Sequence, residues 1–256
     1  VRYGEGNVFR SRPLKPAGKC LLVLGMHRSG TSALTRLLNL HGVALGEDLM
    51  PAGHDNPAGF WELREAVAIH ERLLAGLDMS WDDTRALPPA WKRSKAARLA
   101  AEEIGALIES NFAGDALWAI KDPRLCRFVP LWASTTRALG IEPHAILLAR
   151  HPTEVAHSLQ VRDGLPEPVG NLLWARYLVD AVAGSADMPR TLLRYADLLQ
   201  DWKKSMADLE GTLGINLRHG ADVSAAAEAF VMPQLRHHVA DNQAPALVES
   251  VYAAVA

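Results

Sequence analysis

Cysteine is nearly absent from this chain of 256 residues. Cys20 and Cys126 both fall in apolar contexts and make no disulfide framework, so a reducing, cytoplasmic setting is the simplest expectation. Long hydrophobic runs are missing too: none nears the length of a membrane span, and no secretory signal pattern stands out. An excess of either charge is also lacking. Twenty-seven Lys and Arg face 29 Asp and Glu, a net charge of −2, so neither nucleic acid nor an anionic membrane is expected as the main partner, and any basic surface must be local. There are no internal repeats, no low-complexity tract and no magnesium-ligand pattern. What is present is enough apolar material, 49% of residues, to bury a full core as one domain. Residues 1–18 hold Arg, Pro, Gly and Lys without periodicity and read as a leader or linker; 19–256 read as a single domain.

The most informative stretch follows at once. Cys20 to Leu24 is short and apolar, the pattern of a buried strand; Gly25 to Gly30 is a turn with glycine at each end; Thr31 and Ser32 open a helix that Gly42 stops. Strand, glycine-rich loop and helix together aim backbone N–H groups and the positive end of a helix dipole at an anion. The spacing Gly25-x-x-x-x-Gly30-Thr31-Ser32 is a Walker A frame with Thr31 where the lysine belongs. The positive charge sits inside the loop instead, at Arg28. Such a loop holds a phosphate but is poorly equipped to transfer a γ-phosphoryl group.

Gly25-Met-His-Arg-Ser-Gly-Thr-Ser resembles the 5′-phosphosulfate loop of the sulfotransferases that use 3′-phosphoadenosine-5′-phosphosulfate (PAPS), in particular the bacterial branch whose loop carries arginine. The resemblance implies that His27, Arg28, Ser29, Gly30, Thr31 and Ser32 wrap the sulfated end of the donor. Asn56 to Glu62 is similar to an Asn-Pro-x-Gly-aromatic-aromatic-Glu run of the same family. Two readings of Glu62 stand: an acid in the first turn of a helix spanning roughly 62–77, where it complements the dipole, or the general base that takes the proton of an acceptor hydroxyl. His54, in the irregular run 42–61, is the rival base. His70 reads as packed on its helix.

Two further strand ends carry the rest. Leu117 to Ile120 reads as a strand with Lys121-Asp122-Pro123-Arg124 at its carboxyl end, the edge where open α/β sheets bind ligands. Asp122 and Pro123 also fit a plain surface turn. The resemblance implies that Lys121, together with Arg28 of the loop, neutralises charge on the transferring group as the bridging oxygen leaves. Ala145 to Ala149 reads as a buried strand closed by Arg150, with Pro152 in the first turn of the next helix and Ser158 two turns in. An arginine and a serine at this separation match the family's 3′-phosphate motif, and the arginine fork suits phosphate. Thr191 to Leu199 is similar to another family element, although Ala196 replaces its usual acid, and Arg194 and Tyr195 are equally compatible with structural roles. Gln234-Leu-Arg-His-His is a candidate to reach the nucleotide. The stretches 43–61 and 78–90 are expected to shape an acceptor pocket.

Strands at 20–24, 117–120, 145–149 and 191–195, alternating with helices, predict an α/β three-layer sandwich: a parallel sheet of P-loop NTPase-like topology with helical additions. The function the resemblance implies is sulfuryl transfer from PAPS to a hydroxyl, less readily an amine, of a sugar, lipid or small molecule, releasing 3′-phosphoadenosine 5′-phosphate and needing no metal. The competing readings are a P-loop kinase of a small metabolite and a non-catalytic nucleotide-binding module.

Overall fold

The structure, a computed structural model, describes residues 18–53, 56–231 and 244–255. His54, the Gln234–His238 segment and all but the last residue of the expected leader lie outside the described residues.

Four parallel strands form one sheet in the order β2-β1-β3-β4: β1 is Lys19–Leu24, β2 Leu117–Lys121, β3 Glu142–Ala149 and β4 Arg190–Arg194. Val23 lies opposite Lys121 on one side of β1, and Leu24 lies opposite Leu147 on the other. The carboxyl ends of β2 and β3 therefore finish within about two residues of that of β1, and the chain leaves all three at the same edge. The alternation along β1 divides the core between two faces. Cys20, Leu22 and Leu24 pack with Trp118, Ile120 and Leu147 against α2 (Arg64–Ala75), α3 (Lys95–Phe112), α4 (Leu125–Ala138) and α6 (Glu167–Gly184). Leu21 and Val23 pack with Ala119, Ile146 and Leu148 against α1 (Thr31–Leu40) and α8 (Trp202–Leu213). Burial on both faces is why these strands read as unbroken apolar runs rather than alternating ones. The expected three-layer α/β sandwich is the observed architecture.

Several boundaries differ from expectation, each for a local reason. Helix α2 begins at Arg64, so Glu62 precedes the N-cap Leu63 and is not in the first helical turn. The segment 91–110, whose periodicity predicts one amphipathic helix, is divided. A 3-10 turn, Trp91–Arg93, stops at Ser94, whose hydroxyl accepts the Ala97 N–H at 3.0 Å and caps α3. Helix α4 starts at Leu125, whereas the sequence pattern predicts a short helix over 128–139. Phe128 is non-helical (φ −117°) and Pro130 has no N–H to return to Cys126, so the first turn is kinked off from the rest.

The irregular stretch 78–90 is tied to the helices beneath it. Arg127 of α4 is fully buried; its Nε donates to Asp180 of α6 at 2.8 Å, and Nη1 and Nη2 donate to the carbonyls of Asp83 and Arg85 at 3.1 and 2.7 Å. Tyr177 adds its hydroxyl to the Trp81 carbonyl at 2.6 Å. Two donors of one guanidinium and one phenol hydroxyl thus replace the secondary structure that Pro88 and Pro89 deny this segment. Replacing Arg127 by Met is expected to cost about 3 kcal/mol, because it leaves the Asp83 and Arg85 carbonyls without this donor and Asp180 with only the longer bond from Arg176 at 3.3 Å. Chemical denaturation measures that loss, and limited proteolysis is expected to cut first within 78–90.

Candidate active site

The loop after β1 is built by close approach. A Cβ at Gly25 would stand 2.7 Å from the Thr31 methyl and 2.9 Å from the Leu148 carbonyl, so only glycine lets β1 turn against β3 there. At Gly30 the backbone is left-handed (φ +90°) and a Cβ would meet the Tyr195 ring at 2.3 Å. Arg28 is also left-handed (φ 67°), a conformation that is costly for a side chain of its size. Gly25 N–H donates to Cys126 Sγ at 3.1 Å, and Ser29 N–H to the Met26 carbonyl at 3.1 Å. Among the described residues no side chain caps the N-terminus of α1, which leaves its dipole and first N–H groups turned toward the cavity.

Lys121, at the end of β2, reaches this N-terminus from one side. Its ammonium donates to Glu62 Oε1 at 2.5 Å, the Phe60 carbonyl at 3.0 Å and Ser32 Oγ at 3.1 Å. Ser32 Oγ in turn donates to the Phe60 carbonyl at 3.2 Å and accepts from Asn56 Nδ2 at 3.2 Å. Trp61 between Phe60 and Glu62 is left-handed (φ 56°) and is held by the Arg36 guanidinium 4.5 Å over its ring. That kink turns the Phe60 carbonyl and the Glu62 carboxylate toward the same ammonium. Burial raises the Glu62 pKa above the ordinary carboxylate value; Lys121 opposes the rise without cancelling it.

Arg150, one residue past β3, arrives from the other side. Its Nη1 donates to the Arg28 carbonyl at 3.0 Å and its Nε to Glu154 at 2.7 Å; its own carbonyl accepts the Trp174 indole N–H at 3.0 Å. The guanidinium lies 5.3 Å over the Tyr195 ring, the ring that also covers Gly30. Arg28 Nε donates to Ser158 Oγ at 2.8 Å. The loop arginine and the two residues of the strand-and-helix motif, 122 and 130 positions away in sequence, are therefore in direct contact.

Beneath Lys121, the turn that also fitted a plain surface bend is buried at Asp122. Asp122 has no exposure and accepts from His70 Nδ1 at 2.7 Å, from Arg124 Nη1 at 2.8 Å and from Arg124 N–H at 3.1 Å. The Trp132 indole N–H points at His70 Nε2 at 2.7 Å; an indole only donates, so Nε2 accepts and Nδ1 carries the proton. Burial works against the Asp122 charge, but Arg124 and then His70 outweigh it and hold its pKa well below the usual carboxylate range. Arg124 completes the chain with Glu71 at 2.5 Å.

Loop, lysine and arginine open onto one cavity of about 580 Å³, whose lining includes Arg28, Gly30, Thr31, Ser32, Glu62, Lys121, Arg150 and Tyr195. His27 also lines it, edge-on to Trp81 at 4.8 Å, and burial, then Arg124 and Arg162, push its pKa well below the ordinary value, so the ring stays neutral. Ser29 Oγ is buried without a partner among the described residues. Ser158 is buried behind the wall and touches the site through Arg28. Met50, Phe60, Val67, Trp81 and Pro123 give one side an apolar face. Sequence reasoning singled out neither Asn56, Trp81, Arg124 and Arg162 at this cavity nor the cover that Tyr195 gives Gly30. Asn56 and Arg124 carried a signal, since both sit inside motif runs, and Trp81 lies in the stretch 78–90 expected to shape a pocket; Arg162 carried none.

The chain matches no family model and no curated protein sequence. Solved structures do match along nearly its whole length. It is similar to the sulfotransferase domain from the curacin biosynthetic pathway, with a TM-score of 0.55 at 16% identity, covering 94% of this chain and 98% of that one. It is also similar to the sulfotransferase domain from the Synechococcus PCC 7002 olefin synthase, with a TM-score of 0.54 at 16% identity, covering 95% and 96%. The fold is thus that of sulfotransferase domains. Among the described residues no helix is long and apolar enough to cross a membrane.

The depressed pKa of Asp122 sets a pH signature. The stability it contributes is fully present above the unfolded value of about 4 and is lost as pH falls through the folded one. Asp122→Asn is expected to melt well below the parent at neutral pH, with the gap narrowing as pH drops under about 4. Melting temperatures across a pH series test this; a gap that stays constant into acid contradicts the assignment.

Proposed function

We propose that this protein is a sulfotransferase that moves the sulfuryl group of PAPS to a hydroxyl, less readily an amine, of a small-molecule, lipid or carbohydrate acceptor. One observation carries the reading. An uncapped helix N-terminus, the Lys121 ammonium and the Arg150 guanidinium, from the ends of three parallel strands, all face one cavity. A nucleotide with anions at both ends needs cations set apart along one wall, and this wall supplies them. The likeness in fold to sulfotransferase domains supports the same reading.

In this reading the N–H groups of Gly30, Thr31 and Ser32, with the hydroxyls of Ser29 and Ser32, hold the 5′-phosphosulfate. Arg150 binds the 3′-phosphate, and Ser158 holds Arg28 beside it. The 3′-phosphate is what separates PAPS from ATP, and a guanidinium fork matches it. Glu62 takes the acceptor proton. The acceptor oxygen forms its bond to sulfur as the bond from sulfur to the phosphate oxygen breaks, and that oxygen leaves with the electron pair. Lys121 stabilises the charge gathering there, a contribution that usually outweighs the other terms. His54, outside the described residues, is the other candidate base. Neutral His27 belongs to the wall on the Trp81 side, where an acceptor would rest.

Calorimetric titration tests the donor. The protein is expected to bind 3′-phosphoadenosine 5′-phosphate far more tightly than ATP–magnesium, and Arg150→Ala to weaken that binding by about 10- to 100-fold. Tight ATP binding with no response to 3′-phosphoadenosine 5′-phosphate would sink the reading and favour a kinase. With labelled PAPS and a pool of hydroxylated acceptors, Lys121→Ala is expected to lower kcat by about 100-fold or more. An unchanged turnover would remove Lys121 from the chemistry.

A further inference from the structure

Resting on the PAPS reading above, we propose that donor binding draws Lys121 off Glu62 and that the site takes up a proton at the Glu62 carboxylate as it does so. The geometry forces a competition. An ammonium has three N–H donors, and all three are engaged: on Glu62 Oε1 at 2.5 Å, on the Phe60 carbonyl at 3.0 Å and on Ser32 Oγ at 3.1 Å. A sulfonate that engages Lys121 must displace one of them. The Phe60 carbonyl and Ser32 Oγ are cross-tied to each other, and Ser32 Oγ is further held by Asn56, whose own amide also bonds the Gly59 carbonyl at 2.7 Å. Both are neutral and do not repel the newcomer. Glu62 is an anion, so it contends with the sulfonate for one cation and is repelled by it.

Glu62 has no other direct cationic partner among the described residues. The groups that face it are Lys121 at the end of β2, Asp122 and Arg124 in the turn that follows, and Ser32 and Asn56 by way of Lys121. Arg124 is already shared between Asp122 and Glu71, and Asp122 between Arg124 and His70. Neither is placed to replace Lys121. Burial raises the pKa of Glu62, Lys121 is the largest influence pulling it down, and Asp122 pushes it up again. Moving Lys121 away while bringing an anion near drives it higher. Glu62 is thus silent as an ion pair in the free protein and becomes a stronger base once the donor is in place.

The sign of the pH dependence follows. Between the pKa values of Glu62 without and with donor, binding takes up at most about one proton, so PAPS affinity falls by up to about tenfold per pH unit as pH rises. Over the same interval kcat rises with pH, because the base acts deprotonated. Donor affinity and turnover therefore move in opposite directions around one group.

The test is calorimetric titration of PAPS into the full chain, without acceptor, across a pH series in buffers of differing protonation enthalpy. Net proton uptake is expected with the parent protein. Glu62→Gln is expected to keep PAPS binding and lose the uptake. Lys121→Met is expected to lose it too, since Glu62 is then already without its partner. PAPS binding with no uptake at any pH, or full uptake in Glu62→Gln, overturns the inference and leaves the sulfotransferase reading standing. If neither PAPS nor 3′-phosphoadenosine 5′-phosphate binds the parent, the reading itself has failed and the inference falls with it. Should Glu62→Gln not fold, the parent decides alone: donor affinity and kcat that follow pH in the same direction overturn the inference.

Discussion

The central place of β1 in the sheet governs everything else in this molecule. Because β2 and β3 both pair with it in parallel, the loop after β1, Lys121 at the end of β2 and Arg150 just past β3 all emerge at one edge. The sequence runs from β1 outward to β2 and then returns to the other side of β1 at β3, so a crevice opens there between diverging connections. Two glycines then let the layers close. Gly25 admits the Leu148 carbonyl, and Gly30 admits the Tyr195 ring. A side chain at either would push the loop off the sheet and separate groups that come from positions 28, 121 and 150.

Buried charge is the second theme. Asp122, Glu154, Lys121 and Arg127 are all nearly or wholly buried, and each is bonded to a partner of opposite sign. Burying charge destabilises unless paired and hydrogen-bonded, and replacing such pairs by apolar residues is often neutral or better for stability. Their concentration at one edge of the sheet therefore has a geometric use. The His70–Asp122–Arg124 chain fixes the turn that aims Lys121, and the Glu154–Arg150–Arg28 chain fixes the guanidinium against the loop. Among the described residues, the Lys121–Glu62 pair differs from these two in having no further counter-charge bonded to it.

Much of this was legible in the residues. The strand cores were, because burial on both faces leaves runs such as Leu21-Leu22-Val23-Leu24 without polar interruption. The anion loop was, because a tight turn with helix N-terminus needs glycine at fixed places. The start of α4 was not: Pro130 and the kink at Phe128 mask a turn whose first residues read as loop. The helical position of Glu62 was misjudged by two residues, since the left-handed Trp61 and the N-cap at Leu63 leave no compositional mark. Nor did Arg127 stand out, because its partners are the carbonyls of Asp83 and Arg85, which every residue possesses.

By itself the sequence determined the alternation of strands and helices, the turn chemistry at Gly25 and Gly30, and which residue types stand at each strand end. These depend on neighbours a few positions away, where periodicity and backbone sterics act. Only the tertiary structure decided that Arg28 bonds Ser158, that Lys121 is bound to Glu62, and that Asp122 is buried rather than at the surface. Those outcomes hinge on contacts between groups 50 to 130 positions apart, whose distances are set by sheet order and helix packing.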